Sequence, residues 1–392
     1  MSRPAPSAFR VVAPIGVAQL VGYGGAYYMP AILAGPIGRD LGLPATATFA
    51  GLSAALVVSS FMGPRVGQWI DRGGARMALV AANICFAAGL LLLAAAHGPW
   101  LLAAGWIVMG VGMGLGFYET AFAALTLLYG VNARNLISGV TLIAGFTSTV
   151  GWPLTALLEV HYGWRAALLF WAAANIFVAL PLNLLLPAQS AMPRPSATQD
   201  DERPRDPQDE ASDRAAMIAV AVMFAATSFV SSGLSAVMPN LLTQFGLTAA
   251  SAIAASALVG PSQIAGRLAE MFFLRRFHPV MSARLATVFL PIGVVALAFG
   301  GPIFSTVFVM FYGVGNGIIT ISRGTLPLAI FGPSGYGRRV GLLAAPARIS
   351  GALAPLLLGM LLDVSGAASL YVTGALNLAG LAALGFVVSR AR

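Results

Sequence analysis

The sequence predicts an all-α membrane protein with about twelve transmembrane helices, arranged as two similar bundles of about six. Three observations predict this fold: the composition, the length of the apolar segments and an internal repeat. Of the 392 residues, 58% are hydrophobic and only 9% are charged, and the mean hydropathy is +0.85. Because roughly a quarter of the residues in a soluble domain are charged, a lipid bilayer is the only solvent that suits this chain.

The apolar segments are long enough to cross a bilayer. Each has about twenty residues, which as a helix span a hydrocarbon core of about 30 Å. The predicted helices cover residues 12–35, 46–69, 77–96, 100–128, 136–158, 164–187, 215–240, 249–272, 280–299, 303–331, 340–362 and 366–388. They form an N-terminal bundle over residues 1–186 and a C-terminal bundle over residues 215–392.

One long polar segment separates the two predicted bundles. Residues 187–214 contain PRPSATQDDERPRDPQDEASDR. This segment is too rich in proline and charge to bury a core, so we predict a disordered cytoplasmic linker. Cys85 is the only cysteine, which excludes an intramolecular disulfide and a cysteine metal site. We expect neither a cofactor nor a bound metal.

The distribution of the positive charge predicts the orientation in the membrane. All 22 basic residues are arginines. Arg39 and Arg165 fall on the outer side of the membrane, two arginines fall within helices, and the other 18 lie on or near the cytoplasmic side. This is the positive-inside pattern, and it predicts an inner-membrane protein with both termini in the cytoplasm. A nucleic-acid surface would need its basic residues on a soluble module, and none is predicted.

The two halves repeat each other at a nearly constant offset. Met29-Pro30 recurs as Met238-Pro239, and GVGMG from Gly110 recurs as GVGNG from Gly313. Further pairs, at offsets of 202, 203 and 202, are Pro153 with Pro355, Gly163 with Gly366, and Asn175 with Asn377. Since an even number of helices returns the chain to its starting side, the halves are predicted to be parallel repeats about an axis along the membrane normal.

A polar loop between the second and third predicted helices has the sequence GQWIDRGGARMAL. It resembles the signature loop of the major facilitator superfamily, G-x-x-x-D-R-x-G-x-[RK], through Gly67, Asp71, Arg72, Gly74 and Arg76. The second half keeps a degenerate form of this loop in Gly266, Glu270, Arg275 and Arg276. The resemblance implies that these residues control conformational gating rather than bind substrate. An acid at a helix end also bonds the N-terminus of a neighbouring helix favourably, although the charges could simply set the topology.

The resemblance further implies a secondary active transporter that works by alternating access, with a small solute bound between the halves. A chain without lysine cannot supply the phosphate loop of an ATP-driven pump, and the few histidines and intramembrane acids argue against an enzyme. The fourth helix carries Trp106 where many members of the superfamily have an arginine. The arginine-based proton-coupling scheme of those members is therefore not carried over to this chain.

Three charged residues lie inside predicted helices: Glu119, Arg323 and Arg348. Such charges are costly in a bilayer and by default mark a pathway or an ion pair. In one hypothesis Glu119 and Arg323 pair across the halves as an inner gate. In another, Glu119 exchanges a proton while Arg323 or Arg348 holds an anionic group of the substrate. The third alternative is a static pair without a role in transport.

Two polar stripes and a glycine run complete the candidate residues. Gln19, Tyr23 and Tyr27 recur at a spacing of four on the first helix, with Tyr118 as a further candidate for this stripe. Asn316 shares a helical face with Arg323, and the seventh helix carries Ser228, Ser232 and Ser235. The stripes could line a cavity, or they could serve as interfacial anchors and packing contacts. The glycines from Gly110 to Gly116 are interpreted as close helix packing.

The expected substrate is a small organic anion such as a monocarboxylate, because two buried arginines lie in the second half, and a proton is the expected coupling ion. Proton-driven efflux of a drug or metabolite is the nearest alternative, since an aromatic cavity would suit an amphipathic compound. A membrane sensor that binds its ligand without moving it is the alternative from another class. We expect the protein to act as a monomer in the lipid bilayer, without a nucleic-acid partner.

Overall fold

The computed structural model describes residues 8–187 and 207–388. Every regular element in these ranges is a helix. The first half contains α1 (Ala8–Tyr23), α2 (Pro30–Leu41), α3 (Thr46–Trp69), α4 (Ala75–Ala94), α5 (Pro99–Gly116), α6 (Tyr118–Tyr129), α7 (Ala133–Ala144), α8 (Thr147–Ala174) and α9 (Leu180–Leu184). The second half contains α10 (Pro207–Gln244), α11 (Ala249–Ser256), α12 (Val259–Phe272), α13 (Pro279–Gly300), α14 (Ser305–Phe331), α15 (Tyr336–Val364) and α16 (Gly366–Val388).

The helices are consistent with the predicted number of crossings. Within the described residues, six continuous stretches are long and apolar enough to span a membrane: Thr46–Ala94, Pro99–Leu184, Ala211–Gln244, Pro279–Phe331, Tyr336–Val364 and Gly366–Gly385. Since one crossing takes about 20 residues, the longest of these stretches hold more than one crossing. The predicted first and eighth helices, which are each divided by a turn, at Met29 and at Ala257, are not among these six.

The second half begins earlier than the sequence predicts. The predicted linker runs to residue 214, but α10 already starts at Pro207, so residues 207–214 are its first turns. Pro207 is followed by no further proline until Pro239, and proline is favoured in the first turn of a helix because its missing N–H is unpaired there in any case. The rest of the predicted linker, residues 188–206, lies outside the described residues.

The predicted fourth helix, residues 100–128, is not continuous. α5 ends at Gly116, Phe117 is extended (φ −75°, ψ −175°), and α6 starts at Tyr118. The spacing of seven and three residues would place Glu119 on the same face of a continuous helix as Gly112 and Gly116, but it does not share their face, because these residues belong to different helices. The packing role of the glycines is supported, since a Cβ at Gly112 would collide with Phe86.

The two halves are joined mainly at one end of the molecule. We call this end the arginine face; it is formed by the loops at 70–74, 130–132, 273–278 and 332–335. Among the described residues, the buried core of the first half extends into the second half through Leu328, Tyr336 and Val340, all near this face. The backbones of α3 and α15 also meet here, because a Cβ at Gly63 would lie 2.7 Å from the carbonyl oxygen of Gly341.

Candidate functional site

An ion pair joins the two halves deep in the bundle. The Glu119 carboxylate on α6 accepts a hydrogen bond of 2.7 Å from the Arg348 guanidinium on α15. The same guanidinium donates to the backbone carbonyl of Ser59 at 3.1 Å and lies 3.5 Å from that of Met113. The Arg348 side chain is 9% exposed and that of Glu119 is 27% exposed. The pair is therefore partly accessible through its acid, while the arginine is held by three acceptors.

The break between α5 and α6 builds this site. Glu119 lies in the first turn of α6, where the partial positive charge of the helix N-terminus favours a carboxylate. The break also frees carbonyls at the end of α5. The carbonyl of Met113 lies 3.5 Å from the Arg348 guanidinium. The carbonyl of Gly116 accepts a hydrogen bond of 2.7 Å from the side-chain amide of Gln19. Non-helical backbone at membrane depth is tolerated where it is buried in protein or lines a cavity, and side chains from both halves bury this break.

The predicted pair between Glu119 and Arg323 does not form in this structure. Arg348 takes that place because α15, rather than α14, crosses the first turn of α6 beside α3. Arg323 is half-buried on α14. Its Nε atom is buried without a hydrogen-bond partner. In the described part of the chain, Arg323 therefore has no acidic partner.

Arg267 is a buried cation that sequence analysis missed. The charge distribution predicts that Arg267 lies near the membrane surface, but it is only 6% exposed, on α12. Its guanidinium packs onto the backbone at Gly145, between α7 and α8, and its Nε atom has no hydrogen-bond partner. Its position inside the predicted span 249–272 was the available signal.

Aromatic side chains of the first half form a cluster at the break between α5 and α6. The ring of Tyr23 stacks on Phe117 at a centroid distance of 4.0 Å and lies 4.8 Å from the ring of Tyr118. Tyr27 meets Tyr23 edge-on at 6.3 Å. The three tyrosines therefore form one cluster, as the stripe predicts. Gln19 does not belong to this cluster, because its side chain is buried and bonded to the helix break.

The other polar candidates lie inside the C-terminal bundle. The hydroxyl of Tyr312 interacts with Ser235 at 2.8 Å and donates to the carbonyl of Ser231 at 2.8 Å. Asn316 lines a small cavity beside Tyr312, and Ser228 packs against Gly351 of α15. Asn316 is therefore separate from the Glu119–Arg348 pair. In the described part of the chain, no group of three histidine, cysteine or acidic side chains is placed to hold a metal ion.

The signature loop contacts the second half at the arginine face. The Asp71 carboxylate accepts hydrogen bonds from the backbone N–H groups of Gly337 at 2.7 Å and Arg338 at 2.8 Å, at the start of α15. This is the contact between an acid and a helix N-terminus that the sequence suggested. Gly67 packs directly against the backbone at Gly337. Elsewhere in the loop, Arg72 is exposed, Gly74 packs on Trp69, and Arg76 is half-buried at the start of α4.

The degenerate copy of this loop makes a second contact between the halves. Glu270 on α12 is 1% exposed and accepts a hydrogen bond of 2.9 Å from Arg134 at the start of α7. Arg134 also donates to the backbone carbonyls of Leu274 and Phe277. Gly266 packs against the backbone of α14 at Val314, whereas Arg275 and Arg276 are exposed. Within residues 8–187 and 207–388, the polar contacts between the halves extend from the arginine face to the contacts of Arg348, and beyond them the Ser53 hydroxyl donates to the carbonyl of Ala352 at 3.4 Å.

Solved structures with the same arrangement of helices are transporters. The human organic anion transporter MFSD10 (TETRAN) matches with a TM-score of 0.74 at 15% identity, over 97% of this chain and 100% of that chain. The proton:xylose symporter XylE matches with a TM-score of 0.71 at 15% identity, over 98% and 96%. FucP in its outward conformation matches with a TM-score of 0.69 at 16% identity, over 96% and 98%. These likenesses show the fold.

Curated relatives cover a smaller part of the chain. Two chloramphenicol efflux pumps of Mycobacterium tuberculosis, Rv0191 of strain ATCC 25618 / H37Rv and MT0201 of strain CDC 1551 / Oshkosh, are each 32% identical over 133 residues. The match covers 34% of this chain and 32% of each relative, which is about a third of their length. The family model of the Major Facilitator Superfamily, in contrast, matches residues 15–326. This chain, a multi-pass membrane protein, therefore belongs to the Major Facilitator Superfamily of transporters.

Proposed function

We propose that this protein is a secondary active transporter that moves a small organic anion with proton coupling, by alternating access. The observation that carries the proposal is the Glu119–Arg348 ion pair between the halves, at the break in the fourth crossing. A carboxylate and a guanidinium that join two bundles are separated when the bundles move apart. Protonation of Glu119 and the conformational equilibrium of the two halves are therefore thermodynamically linked.

The coupling follows from the partners of each side chain. When Glu119 is ionised, Arg348 is bound to it and to the carbonyls of Ser59 and Met113. When Glu119 takes a proton, the strong charge-assisted bond is lost, and Arg348 becomes available for an anionic group of the substrate. Proton and anion thus bind together, which is the requirement for symport.

Replacement of Glu119 by glutamine tests this mechanism. Glutamine keeps the size of the side chain but cannot change its charge. In proteoliposomes, we expect E119Q to lose accumulation driven by a pH gradient while it keeps exchange of substrate across the membrane, since exchange needs no net proton movement. The matched control is E159Q, in α8, because Glu159 makes none of the contacts of the site. Equal pH-driven accumulation by E119Q and the unaltered protein would rule out the proton role.

Efflux of an amphipathic compound is the second candidate function. The aromatic cluster of Tyr23, Tyr27 and Tyr118 offers apolar ring faces, and the partial match to two chloramphenicol efflux pumps supports this candidate. Competition in proteoliposomes separates the two functions. Small carboxylates such as pyruvate should block uptake if the substrate is an anion, whereas chloramphenicol should block it if the protein exports amphipathic drugs. Ligand binding without uptake would instead indicate a membrane sensor.

We also propose that the protein acts as a monomer in the inner membrane, with both termini and the arginine face in the cytoplasm. The arginines of the face support this orientation, because positively charged loops remain on the cytoplasmic side. Reporter fusions at the two termini test it, and a periplasmic signal from either terminus would reverse the proposed orientation.

A further inference from the structure

A small polar cavity lies inside the C-terminal bundle, apart from the ion pair. It lies between α10, α13, α14 and α16, and its polar lining consists of Thr227, Ser231, Tyr312, Asn316 and Asn377. Asn377 is only 5% exposed. Among the described residues, no group forms a hydrogen bond with the side-chain amides of Asn316 and Asn377. Because buried polar groups are normally paired, two unpaired amides in one cavity indicate a ligand.

The internal repeat contains a paired copy of Asn377. Asn175, which matches Asn377 at an offset of 202, accepts a hydrogen bond of 3.1 Å from the amide of Asn83 on α4. Asn175 also donates to the backbone carbonyl of Trp171 at 2.9 Å. Asn183 in turn donates to the side-chain oxygen of Asn83 at 2.7 Å. The first half therefore satisfies this amide with its own side chains.

The second half lacks both of these amide partners. α13 is the counterpart of α4, because each precedes the glycine-rich helix of its half, and α13 contains neither asparagine nor glutamine. On this helix, Ala286 lines the cavity. Gly385 matches Asn183 at the same offset of 202, and nothing lies within 4 Å of a Cβ at Gly385. Asn377 therefore faces a cavity where its counterpart in the first half faces another side chain.

The size and lining of the cavity define the group that fits. The cavity leaves about 20 Å³ for the centre of a water-sized group, and one such group needs about 10–15 Å³ on this measure. Within the described residues, the lining contains no charged side chain. An asparagine amide both donates and accepts hydrogen bonds. The cavity therefore suits one uncharged group that also does both, which is a hydroxyl.

The cavity lies close to the depth of Arg348 in the bundle. The Ser350 hydroxyl on α15 donates to the carbonyl of Ala225 on α10 at 2.9 Å. At a rise of 1.5 Å per residue, Arg348 and Thr227 are each about 3 Å from this contact along their helices. The cavity is also not sealed, because Ser231 and Asn316 in its lining are half-buried. A solute can therefore reach it without unfolding of the bundle.

We propose that this cavity binds a hydroxyl group of the transported solute. The inference rests on the proposed function and narrows its substrate class from small organic anions to hydroxy acids. The amides of Asn316 and Asn377 pair with the hydroxyl, and the apolar lining residues Val230, Leu290 and Ile319 contact the carbon that carries it. A water molecule that stays in the cavity would have the same hydrogen-bonding chemistry, so the experiment must separate the two sources.

The test compares acids that differ by one hydroxyl group. In proteoliposomes that contain the full-length protein, the half-saturating concentration for exchange is measured with labelled lactate and propionate, and with labelled glycolate and acetate. We expect the unaltered protein to prefer the hydroxy acid of each pair. N377L and N316L should each reduce this preference about two- to tenfold, the value of one hydrogen bond between uncharged groups. N240L, at an exposed position near the end of α10, should leave it unchanged.

A second measurement separates a binding role of Asn377 from a structural one. Leucine is similar in size to asparagine but forms no hydrogen bond. N175L removes the hydrogen bonds of the paired copy and should lower the midpoint of thermal unfolding in detergent without solute. N377L should not lower the midpoint, since its amide has no protein partner in the described part of the chain. Equal losses in N175L and N377L would assign Asn377 a structural role and overturn the proposal.

The outcomes separate this inference from the proposed function. Equal exchange of acids with and without the hydroxyl, or a preference that survives both N377L and N316L, means that the cavity holds only water and leaves anion transport standing. Exchange of none of the four acids overturns the proposed function, and the hydroxy acid with it.

Size-exclusion chromatography identifies a variant that does not fold, and the other asparagine variant then decides. If neither folds, the unaltered protein decides. A higher unfolding midpoint with lactate than with propionate supports the site, and equal midpoints refute it.

Discussion

At the scale of single residues, Asp71 is the contact whose role is most directly testable. Its carboxylate accepts two backbone hydrogen bonds at the start of α15, where the helix dipole also favours a negative charge. Asparagine is nearly the same size but carries no charge, and its amide nitrogen cannot accept a hydrogen bond. We expect D71N to weaken closure at the arginine face by about 1.5–3 kcal/mol, which corresponds to about a tenfold or larger increase in the open population.

The labelling rate of an introduced cysteine measures this opening. Ala344 is 6% exposed and lines the small space between the halves beside Gly67 and Gly337. In a C85A background, which lacks the single native cysteine, A344C should react faster with a polar maleimide when D71N is present. The control is D363N, because Asp363 is exposed at the other end of α15. Equal labelling rates in D71N and D363N would show that Asp71 does not hold the face closed.

The residue scale also shows how far the sequence predicts the site. The acid of the signature loop and the three intramembrane charges were recognisable because polar residues in an apolar background are informative on their own. The pairing of Glu119 with Arg348 was not recognisable, because the sequence does not specify which helix of the second half crosses the first turn of α6. Arg267 was missed for a related reason: its Cα lies near the end of α12, but its long side chain reaches inward to Gly145.

At the scale of elements, the broken fourth crossing is the feature on which the site depends. The carbonyl of Gly116 at the end of α5 is held by the Gln19 side chain at 2.7 Å. Leucine has a similar volume but cannot donate a hydrogen bond, so Q19L leaves a buried carbonyl unpaired. We expect Q19L to destabilise the folded protein by about 1–3 kcal/mol, seen as a lower midpoint of thermal unfolding in detergent.

A matched substitution separates this effect from a general effect of added apolar surface. Gln68 is exposed on α3, so Q68L makes the same chemical change without removing a buried hydrogen bond. Unfolding midpoints that fall equally in Q19L and Q68L would contradict the role of Gln19. The break itself was not predicted, since the glycine run of α5 is compatible with a packed continuous helix as well as with a helix that ends at Gly116.

At the scale of the whole molecule, the repeat predicted the architecture well. A nearly constant offset between matching prolines, glycines and asparagines requires two similar bundles, and the fold has them. The repeat does not specify the state in which the bundles meet. The conformational state depends on the contacts between α3 and α15. These contacts join residues of both halves, so neither half contains a sequence pattern that predicts them.

The close crossing of α3 and α15 leads to the last prediction. A Cβ at Gly341 would collide with the backbone of Gly63, and rigid backbone cannot yield as a side chain can. Overpacking of this kind typically costs about 1–3 kcal/mol. We therefore expect G341A to shift the population away from the state closed at the arginine face by about ten- to a hundredfold. G359A is the matched control on the same helix, because nothing lies within 4 Å of a Cβ at Gly359.

Spin labels on the exposed residues Val131 and Ser334 report this shift, since they lie in loops of opposite halves at the arginine face. In a C85A background, the distance between labels at V131C and S334C should lengthen in G341A and remain unchanged in G359A. A longer distance means that the closed face depends on bare backbone contact between the halves. If both alanine variants gave the distance distribution of the unaltered protein, closure would have to rest on the polar contacts between the halves, such as those of Asp71 and Glu270.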